Sequence, residues 1–376
     1  MRSSLFALFA VAAVALFIGL FSGGVSVVTK EPPTMASTTL ATVTPIALPP
    51  LTLPAIGATS TAPKKMSPPV AVVSTSTGAA PSAPSVPAPA SPAPVLPAAP
   101  PSGDLSADSD LLRAALVNIL CASPAGSSLQ SISGSGVIVS STGMILTNSH
   151  IGQYFLLADR GVSCVIRTGS PAQAAYEAAP VFVSPAWIAA NPSVLEEQSP
   201  TGTGEHDFAL LAIDASATES PLPASFPFVP LATAPPTLGE PVVIGSYAAQ
   251  FLKTSEIENA LSPTIVYGAI QSVYTFAVDS VDVVSLGGNA AAQEGSSGGG
   301  AIDASGYLTA TITTSTTAGD TAARDLDAIT ASYIRRDYAT EIGVPLDSLL
   351  AEDPFAAIQQ FAPEVPALES ELNLPQ

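Results

Sequence analysis

The chain is 376 residues long, has a formal net charge of −19 at pH 7, and contains two cysteines and two histidines. Nearly all the acidic residues follow Asp104, and so acidic a body disfavours nucleic acid and anionic membrane surfaces as partners. The sequence has no C-x-x-C pair, histidine cluster or aspartate-rich loop, so we predict no metal and no cofactor.

Residues 1–30 form an apolar N-terminal segment. Arg2 precedes a run from Leu5 to Phe21 that has no charged residue. Roughly 20 helical residues cross a bilayer, whereas the core of a signal peptide spans about 7 to 15 residues and ends at a small-residue cleavage site. No clean site of that kind follows. An uncleaved signal-anchor, with the body outside the cytoplasm, is therefore favoured over a cleaved signal and a secreted protein.

Residues 31–104 are rich in Pro, Ala, Ser and Thr and hold about half of the chain's 37 prolines. A segment of this composition buries too little apolar surface to fold, and its prolines favour an extended polyproline-like chain. We predict a disordered linker here, a folded domain over residues 105–342, and an acidic, flexible tail over residues 343–376.

The sequence of the folded body, with its short apolar runs, is typical of an all-β domain. Residues 111–121 can begin as a short helix and end as a strand, because their periodicity fits both. Residues 134–140 and 144–150 flank a turn and predict a hairpin. Further Val-, Ile-, Leu- and Thr-rich runs, cut by Gly, Ser, Pro and Asn, predict strands at 164–168, 181–184, 208–213, 242–245, 266–278, 281–285 and 307–313. A helical pattern returns at 326–342.

Cys121 and Cys164 are the two cysteines. In an exported chain an even pair predicts a disulfide, and two buried thiols are the alternative. Closing this loop would stabilise the fold by about 3 to 4 kcal/mol in the chain-entropy account.

Three short motifs carry side chains suited to acyl transfer. Ser297 stands in a glycine-rich turn, Gly-Ser-Ser-Gly-Gly-Gly over residues 295–300, where backbone can approach a ligand closely. His150 ends the apolar run Gly-Met-Ile-Leu-Thr-Asn-Ser-His, and Asp207 opens the run Phe-Ala-Leu-Leu. Each motif alone also fits an ordinary role: a flexible linker, a solvated histidine, or an aspartate in a turn.

Asp207 follows His206, the second histidine of the chain. Neighbours on a strand point to opposite faces, so these two side chains are poorly placed to pair. An aspartate that opens an apolar strand is costly to bury unless it is paired. We therefore expect a buried Asp207 to have a partner other than His206.

Together the motifs resemble trypsin-like serine proteases of the chymotrypsin fold, and within them the HtrA branch, without its PDZ domain. Residues 143–150 resemble that branch's Gly-x-Ile-Leu-Thr-Asn-x-His segment, and residues 134–138 resemble its Gly-Ser-Gly-x-hydrophobic entry. The resemblance covers roughly residues 131–314 and implies two packed six-stranded antiparallel β-barrels with a C-terminal helix. Ser296 and Gly300 depart from the pattern, since the family usually has Asn or Asp, and Pro, at these positions.

The resemblance implies a catalytic triad and an oxyanion hole. His150 would be the general base, Asp207 would orient it, and Ser297 would be the nucleophile. The backbone N–H groups of Gly295 and Ser297 would stabilise the oxyanion. The expected function is that of a serine endopeptidase acting on polypeptides. A catalytically inactive, protease-like binding module is the alternative, and an esterase using the same triad is a third reading.

The resemblance also implies a substrate-binding surface. Ala291 and Ala292 would line the side-chain pocket, and the strand containing Thr311, Ile312 and Thr313 would bind the substrate backbone. Without a carboxylate at its base, such a pocket favours a small or medium apolar side chain before the scissile bond.

Overall fold

The structure is a computed structural model that describes residues 105–197, 202–277, 279–315 and 319–374. The predicted signal-anchor over residues 1–30 and the predicted linker over residues 31–104 lie outside these ranges. Among the helices within them, none combines the length and the apolar character needed to cross a membrane.

The first half of the body is a closed, antiparallel six-stranded barrel. Its strands are β1 (Leu116–Ala122), β2 (Ile132–Ile138), β3 (Met144–Thr147), β4 (Ser163–Thr168), β5 (Gln173–Val183) and β6 (Ala209–Ser216). They follow the order β1-β2-β3-β6-β5-β4, and β4 pairs back with β1. Short apolar runs fill the interior: all four residues of β3 are buried. This unit confirms the all-β prediction.

A disulfide joins the two strands at which this barrel closes. Cys121 on β1 and Cys164 on β4 stand directly opposite each other in the strand register and are bonded. The predicted disulfide is confirmed, and it links β1 to β4 where the barrel closes.

The second half forms a seven-stranded antiparallel sheet. Its strands are β7 (Pro241–Ser246), β8 (Thr264–Ala269), β9 (Ser272–Tyr274), β10 (Val283–Ser285), β11 (Gly300–Asp303), β12 (Leu308–Ser315) and β13 (Leu326–Thr330). Their order is β8-β7-β11-β12-β13-β10-β9, so β8 and β9 are the edges.

The predicted second six-stranded barrel is therefore wrong in both strand number and closure. The chain passes from one edge strand to the other through Ile270 and Gln271. Ile270 N–H donates to Glu240 O beside β7, while Gln271 N–H donates to Ser285 O on β10. Because the two residues bond to opposite edges, β8 and β9 form no ladder with each other in the described ranges.

Helices surround these two β units. They are α1 (Leu105–Ala115), α2 (Ser149–Gly152), α3 (Pro185–Ala190), α4 (Thr254–Ala260), α5 (Ala331–Ile342), α6 (Leu346–Leu350), α7 (Pro354–Phe361) and α8 (Val365–Glu371). Short 3₁₀ helices span Gln153–Arg160, Val194–Glu196, Thr321–Ala323 and Ala362–Glu364. The predicted change from helix to strand occurs after Ala115. The helical pattern at 326–342 instead divides into β13 and α5, because Thr330 Oγ1 caps α5 by accepting from Tyr333 N–H.

The C-terminal residues differ from the predicted flexible tail, because they fold into α6, α7 and α8. Apolar side chains of this region are buried: Leu346, Leu349, Ala357, Leu368 and Leu372. Arg160 Nε donates to Glu369 Oε1 at 2.6 Å, which ties α8 to the first barrel. The prolines suggested an unfolded tail, but Pro354 and Pro366 stand in the first turns of α7 and α8, where proline is tolerated.

Candidate active site

His150 and Asp207 lie in contact where β3 ends and β6 begins. His150 is on α2, and its Nδ1 is 2.8 Å from Asp207 Oδ2. The backbone N–H of His150 donates to the other carboxylate oxygen, Oδ1, at 3.0 Å. Asp207 is buried, while 28% of the His150 side chain is exposed. The buried carboxylate therefore holds the imidazole through Nδ1, and the ring still reaches the surface.

The residues around α2 fix the turn that carries Asp207. Asn148 Nδ2 donates to Asp207 O at 2.9 Å, and Ser149 Oγ donates to Phe208 O at 2.6 Å. Asp207 N–H donates to Gly204 O, so the aspartate lies in a turn ahead of β6 rather than at its first position. Asn148 and Ser149, which carried no role in the sequence analysis, are thus structural supports of the pair.

The glycines after Ser297 are closely packed, unlike those of a flexible linker. Gly298 has a φ of +81°, and a Cβ there would lie 2.0 Å from Ser135 O. A Cβ on Gly299 would lie 2.5 Å from the backbone oxygen of Gly245. Side chains are excluded at both positions, so the glycine run brings this loop against the backbone of both β units.

Ser135 on β2 ties the loop to the first barrel. Its N–H donates to Ser297 O, its Oγ donates to Gly295 O, and the same Oγ accepts from Tyr247 N–H, each at 2.8 Å. Ser135 O accepts from Thr147 Oγ1, also at 2.8 Å. Since Thr147 is three residues before His150, these bonds hold the Ser297 loop beside the histidine segment. The sequence signal for Ser135 was its position between two glycines in an apolar strand.

Ser297 Oγ points toward Thr313 O at 3.5 Å. Among the hydrogen bonds of the described residues, none joins this hydroxyl to the His150 imidazole. Thr313 also lies against the turn of Asp207, because a Cβ on Gly204 would be 2.9 Å from Thr313 Oγ1. The hydroxyl and the aspartate turn are therefore both next to Thr313.

Two backbone N–H groups of the loop are free. Within the described residues, the N–H groups of Gly295 and Ser297 donate to no protein acceptor, while Ser296 N–H donates to Gln293 O at 3.2 Å. The Ser296 side chain is buried, and its Oγ is 2.9 Å from Ser246 Oγ. A hydroxyl pair thus stands where the resemblance leads one to expect Asn or Asp. An imidazole held by a buried carboxylate, a serine hydroxyl and free N–H donors are the groups that acyl transfer needs.

The structure corrects part of the predicted substrate-binding set. The side chains of Ala291 and Ala292 are fully buried in the core of the second sheet. Ile312 N–H donates to Gly299 O and Ile312 O accepts from Gly298 N–H, so its backbone is occupied by the loop. Thr311 pairs with Gly300 and Ile329 across the sheet. These residues lie behind the site, because the alanine side chains are in the core and the backbone of Ile312 is bonded to the loop.

Thr313 is the member of that set that reaches the site. The register between β12 and β13 shifts between Ile312 and Thr314, which marks a bulge there. Thr313 O faces Ser297 Oγ as a result, rather than lying in a regular ladder.

Arg324 was missed in the sequence analysis. Its buried guanidinium donates to Ala292 O at 2.8 Å and to Gly319 O at 3.0 Å, and it lies 5.6 Å from the centre of the Phe251 ring. A positive charge therefore lies against the backbone of Ala292.

His206 lies apart from the pair of His150 and Asp207. Its φ is +58°, and its Nδ1 is 2.7 Å from Asp337 Oδ2 on α5. The expectation that His206 does not pair with Asp207 agrees with this geometry. The reason is different from the one given, since both residues lie in a turn rather than on a strand.

Residues 134–310 match a family model described as a trypsin-like peptidase domain. The chain therefore carries a trypsin-like peptidase domain and is a serine peptidase. The matched segment includes His150, Asp207 and Ser297 and most of both β units. Because β11 and most of the first barrel fall inside it, the family match and the fold described above concern the same part of the chain.

Two further comparisons concern solved structures and curated sequences. A crystal structure of the serine endoprotease from Yersinia pestis is similar to this chain with a TM-score of 0.42 and 19% sequence identity, over 64% of this chain and 67% of that one. A comparison with curated protein sequences finds no match.

Proposed function

We propose that this protein is an exported serine endopeptidase that hydrolyses peptide bonds through an acyl-enzyme on Ser297. The observation that carries the proposal is the double contact of His150 with the buried Asp207, beside a loop that presents a serine and free N–H donors. The trypsin-like peptidase family of residues 134–310 supports the same chemistry.

In the proposed mechanism, Ser297 Oγ attacks the carbonyl carbon of the scissile peptide and its proton passes to Nε2 of His150. Asp207 keeps the other proton on Nδ1 and stabilises the imidazolium that forms. The N–H groups of Gly295 and Ser297 stabilise the oxyanion. Collapse of this intermediate releases the amine, which takes the proton from Nε2. Water then attacks the acyl-enzyme, with His150 again as base, and regenerates Ser297.

One side-chain rotation is required before attack. The Ser297 hydroxyl lies 3.5 Å from Thr313 O, a long hydrogen bond that is easily given up. A turn about Cα–Cβ would direct the hydroxyl to the imidazole, and such catalytic bonds often tighten only when substrate is bound.

We propose a small or medium apolar side chain before the scissile bond. The buried Ala291 and Ala292 place no carboxylate behind the proposed pocket, and the Arg324 guanidinium bonded to Ala292 O opposes a positively charged substrate side chain. Thr313 is the proposed contact for the substrate backbone.

The proposed location is outside the cytoplasm, with residues 1–30 as a membrane anchor and residues 31–104 as a tether. An extended linker of this length reaches on the order of 200 Å at ~3.1 Å per residue. The disulfide between Cys121 and Cys164 supports an oxidising compartment.

A fluorophosphonate probe on the full chain tests the proposal. We expect covalent labelling of the unmodified protein and of Ser220→Ala, which removes an exposed hydroxyl, and no labelling of Ser297→Ala. Labelling of both serine variants to the same extent would exclude Ser297 as the nucleophile.

The inactive binding module is the second candidate, favoured by the orientation of Ser297 Oγ toward Thr313 O and by Ser296 in place of Asn or Asp. A protein that is folded, binds peptides and is never labelled would support it. Peptide and ester substrates with the same acyl group distinguish an endopeptidase from an esterase, because only the former cleaves both.

A further inference from the structure

A second cluster of titratable side chains lies outside the proposed active site. It consists of His206 in the turn before β6, and of Asp337 and Glu341 on α5. His206 Nδ1 is 2.7 Å from Asp337 Oδ2 and 3.9 Å from Glu341 Oε1, and one ligand atom from each residue lies within 4.8 Å of the others. Residues 131 positions apart in sequence thus converge on one point.

The charge of this cluster is unbalanced. Asp337 and Glu341 are one helical turn apart, where like charges repel each other. In the part of the chain that the structure describes, no lysine or arginine forms an ion pair with either of them. Burial raises the pKa of Glu341, although Ser184 Oγ and Ala186 N–H both donate to its carboxylate. Two largely buried carboxylates therefore share a single imidazole.

Hydrogen bonds from neighbouring residues hold parts of the cluster in place. Tyr333 Oη accepts from the backbone N–H of His206 at 2.9 Å. Burial raises the pKa of Tyr333, so its hydroxyl stays protonated. Ser184 Oγ holds Glu341 Oε1 at 2.8 Å. Such outer partners commonly fix the ligands of a metal ion.

The backbone of His206 is also unusual. Its φ of +58° is uncommon for a residue other than glycine, and the bond to Tyr333 holds it there. The result is that Nδ1 faces the two carboxylates, while the ring remains 30% exposed. The cluster is therefore reachable from solvent.

We propose that His206, Asp337 and Glu341 bind one Zn²⁺ ion. The ligand atoms are His206 Nδ1, Asp337 Oδ2 and Glu341 Oε1, and water completes a tetrahedral site. Imidazole nitrogen together with carboxylate oxygen suits zinc, and imidazole disfavours Ca²⁺ and Mg²⁺. The divalent charge neutralises both carboxylates, and the imidazole binds through the lone pair of Nδ1 with its hydrogen on Nε2.

Two of the three distances between ligand atoms require only a small adjustment, and the third lies within 4.8 Å. With Zn–N and Zn–O bonds of roughly 2.0 to 2.2 Å, neighbouring ligand atoms in a tetrahedral site are about 3.3 Å apart. The 2.7 Å contact must open and the 3.9 Å contact must close, each by about half an ångström, which side-chain rotation provides. The His206 Nε2–H then faces Glu205 Oε1, 4.0 Å away.

Zinc titration of the full chain, purified with a chelator, tests the site by calorimetry and by thermal unfolding. We expect one saturable Zn²⁺ per chain and a Zn²⁺-dependent rise in Tm that EDTA reverses. His206→Gln, Asp337→Asn and Glu341→Gln should each weaken binding at least tenfold. Asp347→Asn, which removes an exposed carboxylate on the next helix, should change it less than twofold. Each variant is compared with its own metal-free Tm, so loss of stability is separated from loss of binding.

A second measurement needs no substitution at the site. The chain has only two histidines, so labelled imidazole resonances are readily assigned with His150→Gln. One equivalent of Co²⁺ should broaden the His206 ring and leave the His150 ring sharp. No saturable binding, broadening of His150 first, or a cluster that takes up only a proton at His206 would overturn the proposal. These readouts involve no peptide hydrolysis and so stand apart from the proposed function.

Discussion

His150 and His206 each bring Nδ1 to a buried aspartate, at 2.8 Å from Asp207 and at 2.7 Å from Asp337. Their exposure is also similar, at 28% and 30% of the side chain. The environments beyond the two pairs differ. His150 lies beside the serine loop that Ser135 anchors, whereas His206 faces a second carboxylate, Glu341.

A histidine–aspartate contact therefore does not define a function by itself. Beside a serine and free N–H donors, the imidazole can pass a proton on. Beside a second carboxylate, the proposed role of the imidazole is instead to hold a cation. The predictions below are arranged by how strongly they should separate the two pairs.

The largest difference is expected between His150→Gln and His206→Gln. Removing the proposed general base should lower kcat/KM by about 10⁴-fold or more, as for triad residues in other serine proteases. His206→Gln should lower it by less than about tenfold, since the ring contacts no reacting atom. Peptide hydrolysis measures both, with circular dichroism as the folding control. Equal losses would mean that the two imidazoles are not functionally distinct.

Replacing the two aspartates should give a similar contrast in kcat between the two pairs. Asp207→Asn should reduce kcat by about 10⁴-fold, because an amide that accepts at Nδ1 no longer stabilises the imidazolium. Asp337→Asn keeps an acceptor for His206 and should change kcat by less than about threefold. The comparison is made over a range of pH with one peptide. A large effect of Asp337→Asn on kcat would place the second pair in the catalytic machinery.

The tight packing that brings the serine loop to His150 predicts a stability difference between two glycines. Gly298→Ala introduces a left-handed alanine and a clash with Ser135 O, and should cost about 3 kcal/mol or more. Gly343 has a φ of +83° with nothing within 4 Å of a Cβ, so Gly343→Ala should cost about 1 kcal/mol. Urea unfolding measures both. Similar values would contradict the close contact between loop and barrel.

Asp327 is a carboxylate without a neighbouring imidazole, and the smallest effect is expected from replacing it. Burial, with a contribution from Asp325, raises the pKa of Asp327 to about 6, and its Oδ1 has no hydrogen-bond partner within the described residues. Because the folded pKa is above the unfolded value of 3.8, the folded state binds the proton more tightly. This contribution to stability is present below pH 4 and is lost as the pH rises through 6.

Asp327→Asn should therefore raise stability at pH 7 by about 1 to 2 kcal/mol, a figure reduced for the partial exposure of the group. It should also flatten the pH dependence of unfolding between pH 4 and 6. Thermal unfolding at several pH values measures this, with exposed Asp347→Asn as the matched control. A steeper pH dependence in the Asn variant would reverse the assignment of sign.

The sequence predicted the contact of His150 with Asp207 better than it predicted the surroundings of that contact. His150, Asp207 and Ser297 stand in motifs that can be read locally, and the hairpin of β2 and β3 follows from apolar runs around a turn. Ser135 could not be assigned a role in this way, because its importance lies in bonds to residues more than 100 positions away.

Long-range pairing explains the other differences as well. The second sheet stays open because Ile270 and Gln271 bond to opposite edges of it, and no local sequence pattern reveals these hydrogen bonds. Ala291, Ala292 and Ile312 were predicted to contact substrate but are buried, because burial within a sheet depends on its neighbours. The cluster of His206 with Asp337 and Glu341 has no sequence motif, since its members come from two distant segments.

The helices at the two ends of the described chain each pack on the β unit that is more distant in sequence. Leu112 of α1, which leads into the first barrel, packs at Gly245 of the second sheet, while α7 and α8, which follow the second sheet, pack on the first barrel. Each β unit is thus covered by helices that are adjacent, along the chain, to the other unit. Proteolytic nicking between the units would leave fragments that stay associated as a non-covalent pair, and separate expression of either half would expose apolar surface that its counterpart normally conceals.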